Sequence, residues 1–227
     1  MSQFWNHFFF GIYPYIAFAV FCIGSVVRFD YEPYSWKSGS SQFLRRRGML
    51  LASNAFHVGV LLLLFGHFVG LLTPHEVYGA FGLTPAAKQV LAMTAGAIAG
   101  TLAAAGGLFL LYRRLTDDRV SAAGSPMDVV ILALLVVQLG LGLVSIHFSA
   151  QHPDGSAMLA LAGWAQTVVT FGSGAADFVA GVETVFKLHL ILGMTIFLVF
   201  PFTRLVHIWS MPLSYLGRRY QLVRRGG

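Results

Sequence analysis

Long apolar runs alternate with short polar stretches along this chain, and five of the runs are about as long as a helix needs to cross a bilayer. They cover residues 4–28, 48–72, 88–112, 127–147 and 183–209. Backbone inside lipid must satisfy its own hydrogen bonds, so the pattern predicts an all-α integral membrane protein. We expect one domain over residues 1–227, built as a five-helix transmembrane bundle. The loop after the fourth run has an apolar middle with Trp164 and Phe171, which predicts a short helix at the interface or capping the bundle.

Composition and charge agree with this interpretation. Of the 227 residues, 56% are hydrophobic and only 11% are charged, about half the charged fraction of a soluble domain. The net charge of +6 does not indicate nucleic-acid binding, because the basic residues cluster at the ends of the apolar runs. One side of the predicted bundle carries Lys and Arg at positions 28, 37, 45, 46, 47, 113, 114, 119, 218, 219, 224 and 225, the other only Lys88 and Lys187. The positive-inside rule therefore predicts an outside N-terminus and a cytoplasmic tail, residues 210–227.

Four histidines lie inside the predicted spans. His57 and His67 are in the second span, and His189 and His207 are in the fifth. Ionisable residues are expensive in hydrocarbon, so they indicate a function. The two spans run in opposite directions, which predicts an outer pair, His67 with His189, and an inner pair, His57 with His207. An eighteen-residue gap returns to the same helix face, and a ten-residue gap leaves two side chains about 80° apart.

The axial spacing of the pairs fits less well. Ten residues of helix rise about 15 Å, whereas eighteen residues rise about 27 Å. We expect helix tilt and a distortion at Pro201 to take up the difference, because proline removes a backbone hydrogen bond.

The composition of this histidine set favours haem over zinc. Zinc usually takes four ligands, often Cys or carboxylate, and no acidic residue lies in the middle of a span. A haem needs two axial ligands and an apolar slot, so the four histidines predict two b-type haems. Gly66 and Gly70 beside His67, and Gly193 near His189, leave room for a flat ring. Arg204 is suited to bind a haem propionate.

Other functions compatible with intramembrane histidines stay open at this point. A lone histidine more often bonds a neighbouring helix or serves a proton path, and four of them could form the relay of a transporter. A structural anchor, or the di-haem anchor of a hydrogenase or formate dehydrogenase, are further alternatives. The remaining histidines lie at span ends or in loops, where we expect interfacial polar contacts: His7, His75, His147 and His152.

Long stretches of the chain resemble the gamma subunit of membrane-bound respiratory nitrate reductase. They include FFFGIYPYIA, SSQFLRRRGMLLASNAFHVGVLLLLFGHFVGLLTPH, FSAQHPDGS, GWAQTVVTF, FKLHLILGMTIFLVFPFTRLVHIWS and the ending YLGRRYQLVRR. The resemblance covers nearly the whole chain and is weakest in the third span and the turn after it. It implies a five-helix di-haem cytochrome b in the bacterial cytoplasmic (inner) membrane, with His67 and His189 binding the outer haem iron and His57 and His207 the inner.

The resemblance also implies a reaction and partners. Quinol, either menaquinol or ubiquinol, is expected to be oxidised beside the outer haem, with Lys88, His67 and Gly66 forming its site. Electrons then pass through the two haems to an iron–sulfur beta subunit and a molybdenum alpha subunit on the cytoplasmic side, and protons are released outside. Nitrate reduction itself belongs to a partner, so no catalytic residue for it is expected in this chain.

Overall fold

The computed structural model describes residues 2–32, 34, 36 and 48–209, which form a bundle of helices. Five helices are long and apolar enough to cross a membrane, as the apolar runs predict. They are α1 (Gln3–Tyr31), α2 (Met49–Leu72), α4 (Pro85–Thr116), α6 (Pro126–Ser149) and the segment Thr184–Phe202, of which Thr184–Val199 is the α-helix α9. Shorter helices are α3 (His75–Ala80), α5 (Asp118–Ala122), α7 (Ser156–Val169) and α8 (Ala175–Phe178). The predicted tail, 210–227, and the basic residues at 37 and 45–47 lie outside the described residues.

Proline and capping side chains extend two of the spans beyond their apolar runs. Helix α4 begins at Pro85 because the Thr84 hydroxyl accepts a hydrogen bond from Ala87 N, at 3.2 Å. Helix α6 begins at Pro126 with a capping box between Ser125 and Asp128. Polar caps of this kind lie outside the hydrophobic pattern, which explains why the predicted ends at 88 and 127 fall short.

Small residues bring α2 and α4 into close backbone contact. A Cβ on Gly59 would lie 2.7 Å from Ala99 O and from Ala103 N, so only glycine fits there. On the other side, α4 packs against α6, α6 against α9, and α9 against α1. The helix α7 packs on α2 and α4. Van der Waals packing through small residues is the usual basis of helix association in lipid.

The loop after α6 contains the predicted short helix, α7, which packs onto the bundle. Trp164 on α7 is buried and donates a hydrogen bond from its Nε1 to Phe10 O at 2.9 Å. Phe10 lies in a π-helical turn of α1, Phe8–Ile12. Phe171 follows α7 and is exposed. The Trp164 hydrogen bond thus connects this loop to the π-helical turn of α1.

The fifth span departs from the single helix predicted over 183–209. The α-helix ends at Val199, and the 3-10 turn Phe200–Phe202 follows it. Thr203 is extended, with φ −119° and ψ 175°, and a second 3-10 turn covers Arg204–Ile208. Pro201 explains the interruption, because a proline ring clashes with the preceding helical turn and donates no hydrogen bond. The expected distortion at Pro201 is confirmed, and it takes the form of a break in the helix, followed by a separate turn that reaches Ile208.

A side chain of α1 binds the carbonyl groups at this interruption. Arg28 Nη1 donates to Pro201 O at 2.6 Å and to Thr203 O at 2.8 Å. The Thr203 hydroxyl accepts a hydrogen bond from Leu205 N at 3.2 Å and so caps the following turn. Unpaired backbone is costly inside a membrane, and these contacts make the break tolerable.

Candidate functional site

The structure brings the four histidines that were predicted to lie in the membrane together in two pairs. The ring centroids of His67 and His189 are 6.1 Å apart. Those of His57 and His207 are 6.4 Å apart. The separation of ten positions between His57 and His67 on α2 places the pairs about 15 Å apart along that helix. The interruption of the fifth span reconciles the axial spacing, because His207 follows the extended Thr203 and is not on the straight helix that carries His189.

The rings face a space between α2 and α9 that we call the histidine groove. Neither helix makes its main contacts with the other, since α2 packs against α4 and α7, and α9 against α1 and α6. His57 and His67 have exposed side chains. A Cβ on Gly66 or Gly70 would meet no atom of the described chain within 4 Å. There is thus open space beside two glycines that are one and three positions from His67 on α2.

Three of the four rings are held by a carbonyl of their own helical segment. His57 Nδ1 lies 2.7 Å from Ser53 O, and His67 Nδ1 lies 2.7 Å from Leu63 O. His207 Nδ1 lies 2.6 Å from Arg204 O. A carbonyl oxygen only accepts, so each Nδ1 carries the proton. In the neutral form of each ring, Nε2 is then the nitrogen with the lone pair that a metal-ligating imidazole requires.

His189 is held differently, by a glutamine from α6. Gln138 Nε2 donates to His189 O at 3.0 Å and lies 3.4 Å from His189 Nε2. Within the described part of the chain, His189 Nδ1 and Gln138 Oε1 are buried and lack a hydrogen-bond partner. The sequence analysis missed Gln138, although an amide inside an apolar run is a signal of an interhelical contact.

Arg204, predicted to bind a propionate, lies beside an acidic residue near His207. Its Nη1 is 3.7 Å from Asp128 Oδ2, and Arg114 Nη1 is 3.2 Å from the same oxygen. The Asp128 carboxylate therefore offsets part of the positive charge of the Arg114 and Arg204 guanidinium groups. The sequence analysis missed Asp128 and Arg114 in this role, because their turn lies far from Arg204 along the chain.

Lys88, predicted to bind quinol, has a side chain that is only 7% exposed. Its Nζ donates to Thr73 O at 3.3 Å and lies 3.9 Å above the ring of Tyr78. Gln166 Nε2 also donates to Thr73 O, at 3.3 Å. The ammonium group is thus fixed at the end of α2, the helix that carries His67.

Tyr78 and Gln166 are further residues of this corner that the sequence analysis missed. Tyr78 is buried, and its burial, with the nearby Glu76 charge, raises the pKa of its phenol. The phenol therefore stays neutral at physiological pH and its ring keeps the electron-rich face that attracts an ammonium group. Tyr78 lies six positions after the end of α2, in the short helix α3, and nothing in the sequence around it indicates a contact with Lys88.

The other histidines make polar or aromatic contacts away from the groove. His152 Nε2 donates to Glu183 Oε1 at 2.6 Å, and this bond lowers the pKa of the Glu183 carboxyl. Gln151 Nε2 donates to His147 Nε2 at 3.3 Å, and the His75 ring lies 5.0 Å from that of Tyr78. Over residues 2–32, 34, 36 and 48–209, no three His, Cys, Asp or Glu side chains form a cluster that could hold a metal ion by themselves.

Comparison with known proteins identifies the family. The nitrate reductase gamma subunit family profile matches residues 6–226. The chain is 58% identical to the respiratory nitrate reductase 1 gamma chain of Escherichia coli, over 98% of each chain. It is 54% identical to the respiratory nitrate reductase 2 gamma chain of the same organism, over 99% of each. It is 33% identical to the nitrate reductase gamma chain of Bacillus subtilis, over 95% of this chain and 96% of the relative. The chain therefore belongs to the nitrate reductase gamma subunit family.

Proposed function

We propose that this chain is the quinol-oxidising cytochrome b subunit of a respiratory nitrate reductase, and that it holds two b-type haems in the histidine groove. The observation that carries the proposal is the arrangement of four intramembrane histidines as two facing pairs. Family membership supports the assignment to a nitrate reductase rather than to a hydrogenase or formate dehydrogenase.

The spacing of the rings fits a metal ion between each pair. An imidazole nitrogen binds a metal at about 2 Å, so two imidazoles on opposite sides of one ion have ring centres about 6 Å apart. The observed separations are 6.1 Å and 6.4 Å. Two ligands alone do not complete the coordination of iron, and a porphyrin supplies the other four nitrogens. The room beside Gly66 and Gly70 suits such a flat ring.

The chain contributes ligands, orientation and charge. His67 and His189 would bind one iron, and His57 and His207 the other. When bound, the haems supply one-electron redox chemistry, which the protein tunes through the hydrogen bonds and burial of these ligands. Arg204 would bind a propionate in exchange for part of its contact with Asp128, which lies 3.7 Å away.

Lys88 supplies the quinol site in this proposal. An ammonium group has three N–H donors, and Lys88 directs one of them to Thr73 O. A further donor would bind a quinol oxygen, with His67 and Gly66 forming the adjacent wall. A fixed cation stabilises negative charge on that oxygen as the hydroxyl proton leaves, and this lowers the barrier to oxidation.

The direction of electron flow follows from the proposed topology. The N-terminus faces outside, so Lys88 and the His67–His189 pair lie toward the outer side of the cytoplasmic membrane, where the protons are released. The His57–His207 pair lies toward the cytoplasm and next to the iron–sulfur beta subunit, which passes electrons to the molybdenum alpha subunit. Nitrate is reduced there, outside this chain.

A redox-titrated optical spectrum of the purified complex tests the proposal. We expect two b-type components, of which His67→Ala removes one and His57→Ala removes the other. His147→Ala, a histidine away from both pairs, is the matched control and is expected to leave both components in place. A complex reconstituted with haem that shows no Soret band, or variants that remove the same component, would contradict the proposal.

A further inference from the structure

The four candidate ligands differ in how the second ring nitrogen is satisfied. In His57, His67 and His207 the Nδ1 lies within 2.7 Å of a carbonyl of its own helical segment. His189 Nδ1 is buried without a hydrogen-bond partner among the described residues. A ligating imidazole needs a hydrogen-bond acceptor at its second nitrogen, because that bond fixes its tautomer and orientation.

The side chain that touches His189 contains the missing acceptor. Gln138 Nε2 donates to His189 O at 3.0 Å and also lies 3.4 Å from His189 Nε2, the nitrogen that would bind iron. Its Oε1 is also buried and has no partner in the described chain. If His189 Nε2 were to bind iron, its lone pair would no longer accept from Gln138 Nε2, which lies 3.4 Å away. Nδ1–H would then be the only polar donor on the ring, and Gln138 Oε1 the acceptor left on the neighbouring amide.

The surrounding glycines make space for both groups. A Cβ on Gly142 would lie 3.1 Å from the Cε1 of His189. A Cβ on Gly193 would lie 3.2 Å from Gln138 Nε2. Both distances are tighter than ordinary van der Waals contact, so larger residues would press on the ring and on the amide. The contact between α6 and α9 is therefore shaped around this histidine and this glutamine.

We propose that Gln138 is the positioning residue of the His67–His189 haem, its Oε1 accepting the Nδ1–H hydrogen bond of His189. This inference rests on the proposed function. A hydrogen bond from Nδ1–H makes an imidazole a stronger electron donor to iron, which favours the oxidised state. Because the acceptor comes from another helix, the reduction potential of this haem depends on α6, whereas the other three ligands depend on their own segments.

The test compares Gln138→Leu with Gln138→Glu in the purified complex, by potentiometric titration and by electron paramagnetic resonance of the oxidised haems. His67→Ala identifies which component belongs to this pair. Gln138→Leu removes the acceptor and is expected to raise the midpoint potential of that component and shift its low-field resonance. Gln138→Glu keeps an acceptor oxygen in either protonation state and is expected to return the midpoint potential to the wild-type value or below it.

Ser145→Ala is the matched control, because Ser145 also lies on α6 but its hydroxyl donates to Gly142 O of the same helix, at 2.7 Å. It should leave both components unchanged. Loss of the component in Gln138→Leu but not in Gln138→Glu also supports the inference. An unchanged midpoint in Gln138→Leu, equal shifts of both haems, or loss of the component in both variants would overturn it. A wild-type complex without haem would instead overturn the proposed function.

Discussion

The two histidine pairs have nearly equal ring separations, 6.1 Å and 6.4 Å, but the fold builds them differently. The His67–His189 pair joins two regular helices, and one of its rings depends on a side chain of a third helix. The His57–His207 pair holds both rings through local carbonyls, but one ring lies beyond an interruption of the fifth span. The His67–His189 pair is therefore sensitive to side-chain contacts, whereas the His57–His207 pair is sensitive to backbone geometry.

The largest expected difference between the pairs comes from Arg28. Arg28→Leu removes two hydrogen bonds to the carbonyls of Pro201 and Thr203, each worth about 1.5–3 kcal/mol because the donor is charged. His207 follows these residues, so we expect loss of the His57–His207 haem component and retention of the other. Haem content per protein and the redox titration measure this. Arg119→Leu, at an exposed arginine, is the control, and equal loss of both components would argue against the comparison.

Lys88 tests whether quinol chemistry belongs to the His67–His189 side. Lys88→Ala removes a charged donor worth about 1.5–3 kcal/mol, so quinol oxidation should fall about 10- to 100-fold in kcat/KM. Both haem components should still titrate. The measurement is quinol-dependent nitrate reduction beside nitrate reduction driven by an artificial donor to the partner subunits, which should not change. A fall in both activities would show that the substitution disturbs assembly rather than quinol binding.

Tyr78 should have a smaller effect on the same reaction. Tyr78→Leu removes the ring beneath the Lys88 ammonium group, a contact worth about 0.5–2 kcal/mol. We expect the apparent KM for quinol to rise a few-fold with little change in kcat. Tyr78→Phe keeps the ring face and should behave as wild type, so steady-state kinetics of the two variants separate the ring from the hydroxyl. Equal KM values for the Leu and Phe variants would show that the ring does not position Lys88.

The smallest expected effect concerns the start of the fifth span. The His152 hydrogen bond lowers the pKa of Glu183 in the folded state, so its stabilisation is present above the unfolded pKa of about 4.3 and is lost as the pH falls below it. The thermal midpoint of Glu183→Gln should therefore lie below that of wild type at pH 7 and approach it only as the pH falls through the folded-state pKa of Glu183, which lies below the unfolded value. A difference between the two proteins that does not change with pH would contradict this.

Hydropathy predicted much of the fold, because lipid imposes helix length and an apolar composition on each span. The five spans and the loop helix containing Trp164 are confirmed. The opposite directions of the second and fifth spans also predicted the two histidine pairs, His67 with His189 and His57 with His207. The break at Thr203 was only partly foreseen, since proline predicts a distortion but not the arginine that stabilises it.

The side-chain partners could not be predicted for a different reason. Gln138 and His189 are 51 positions apart, and Arg28 and Thr203 are 175 positions apart. Local patterns show which residues are polar inside a span but not which helix lies beside them. The role of Tyr78 could not be predicted for the same reason. Aromatic residues are common in connecting helices, and the contact of this one with Lys88 forms only in the folded structure.

The unbroken helix α2 fixes the distance between the two proposed redox centres. His57 and His67 are ten residues apart on it, and hydrogen bonds along a regular helix resist stretching, whereas the opposite wall contains an interruption that can adjust. Electron transfer between cofactors slows steeply with separation. If the proposed relay is correct, the rate of transfer between its two centres is set by the length of one short stretch of α2, and an added or deleted turn there would alter it without changing any ligand.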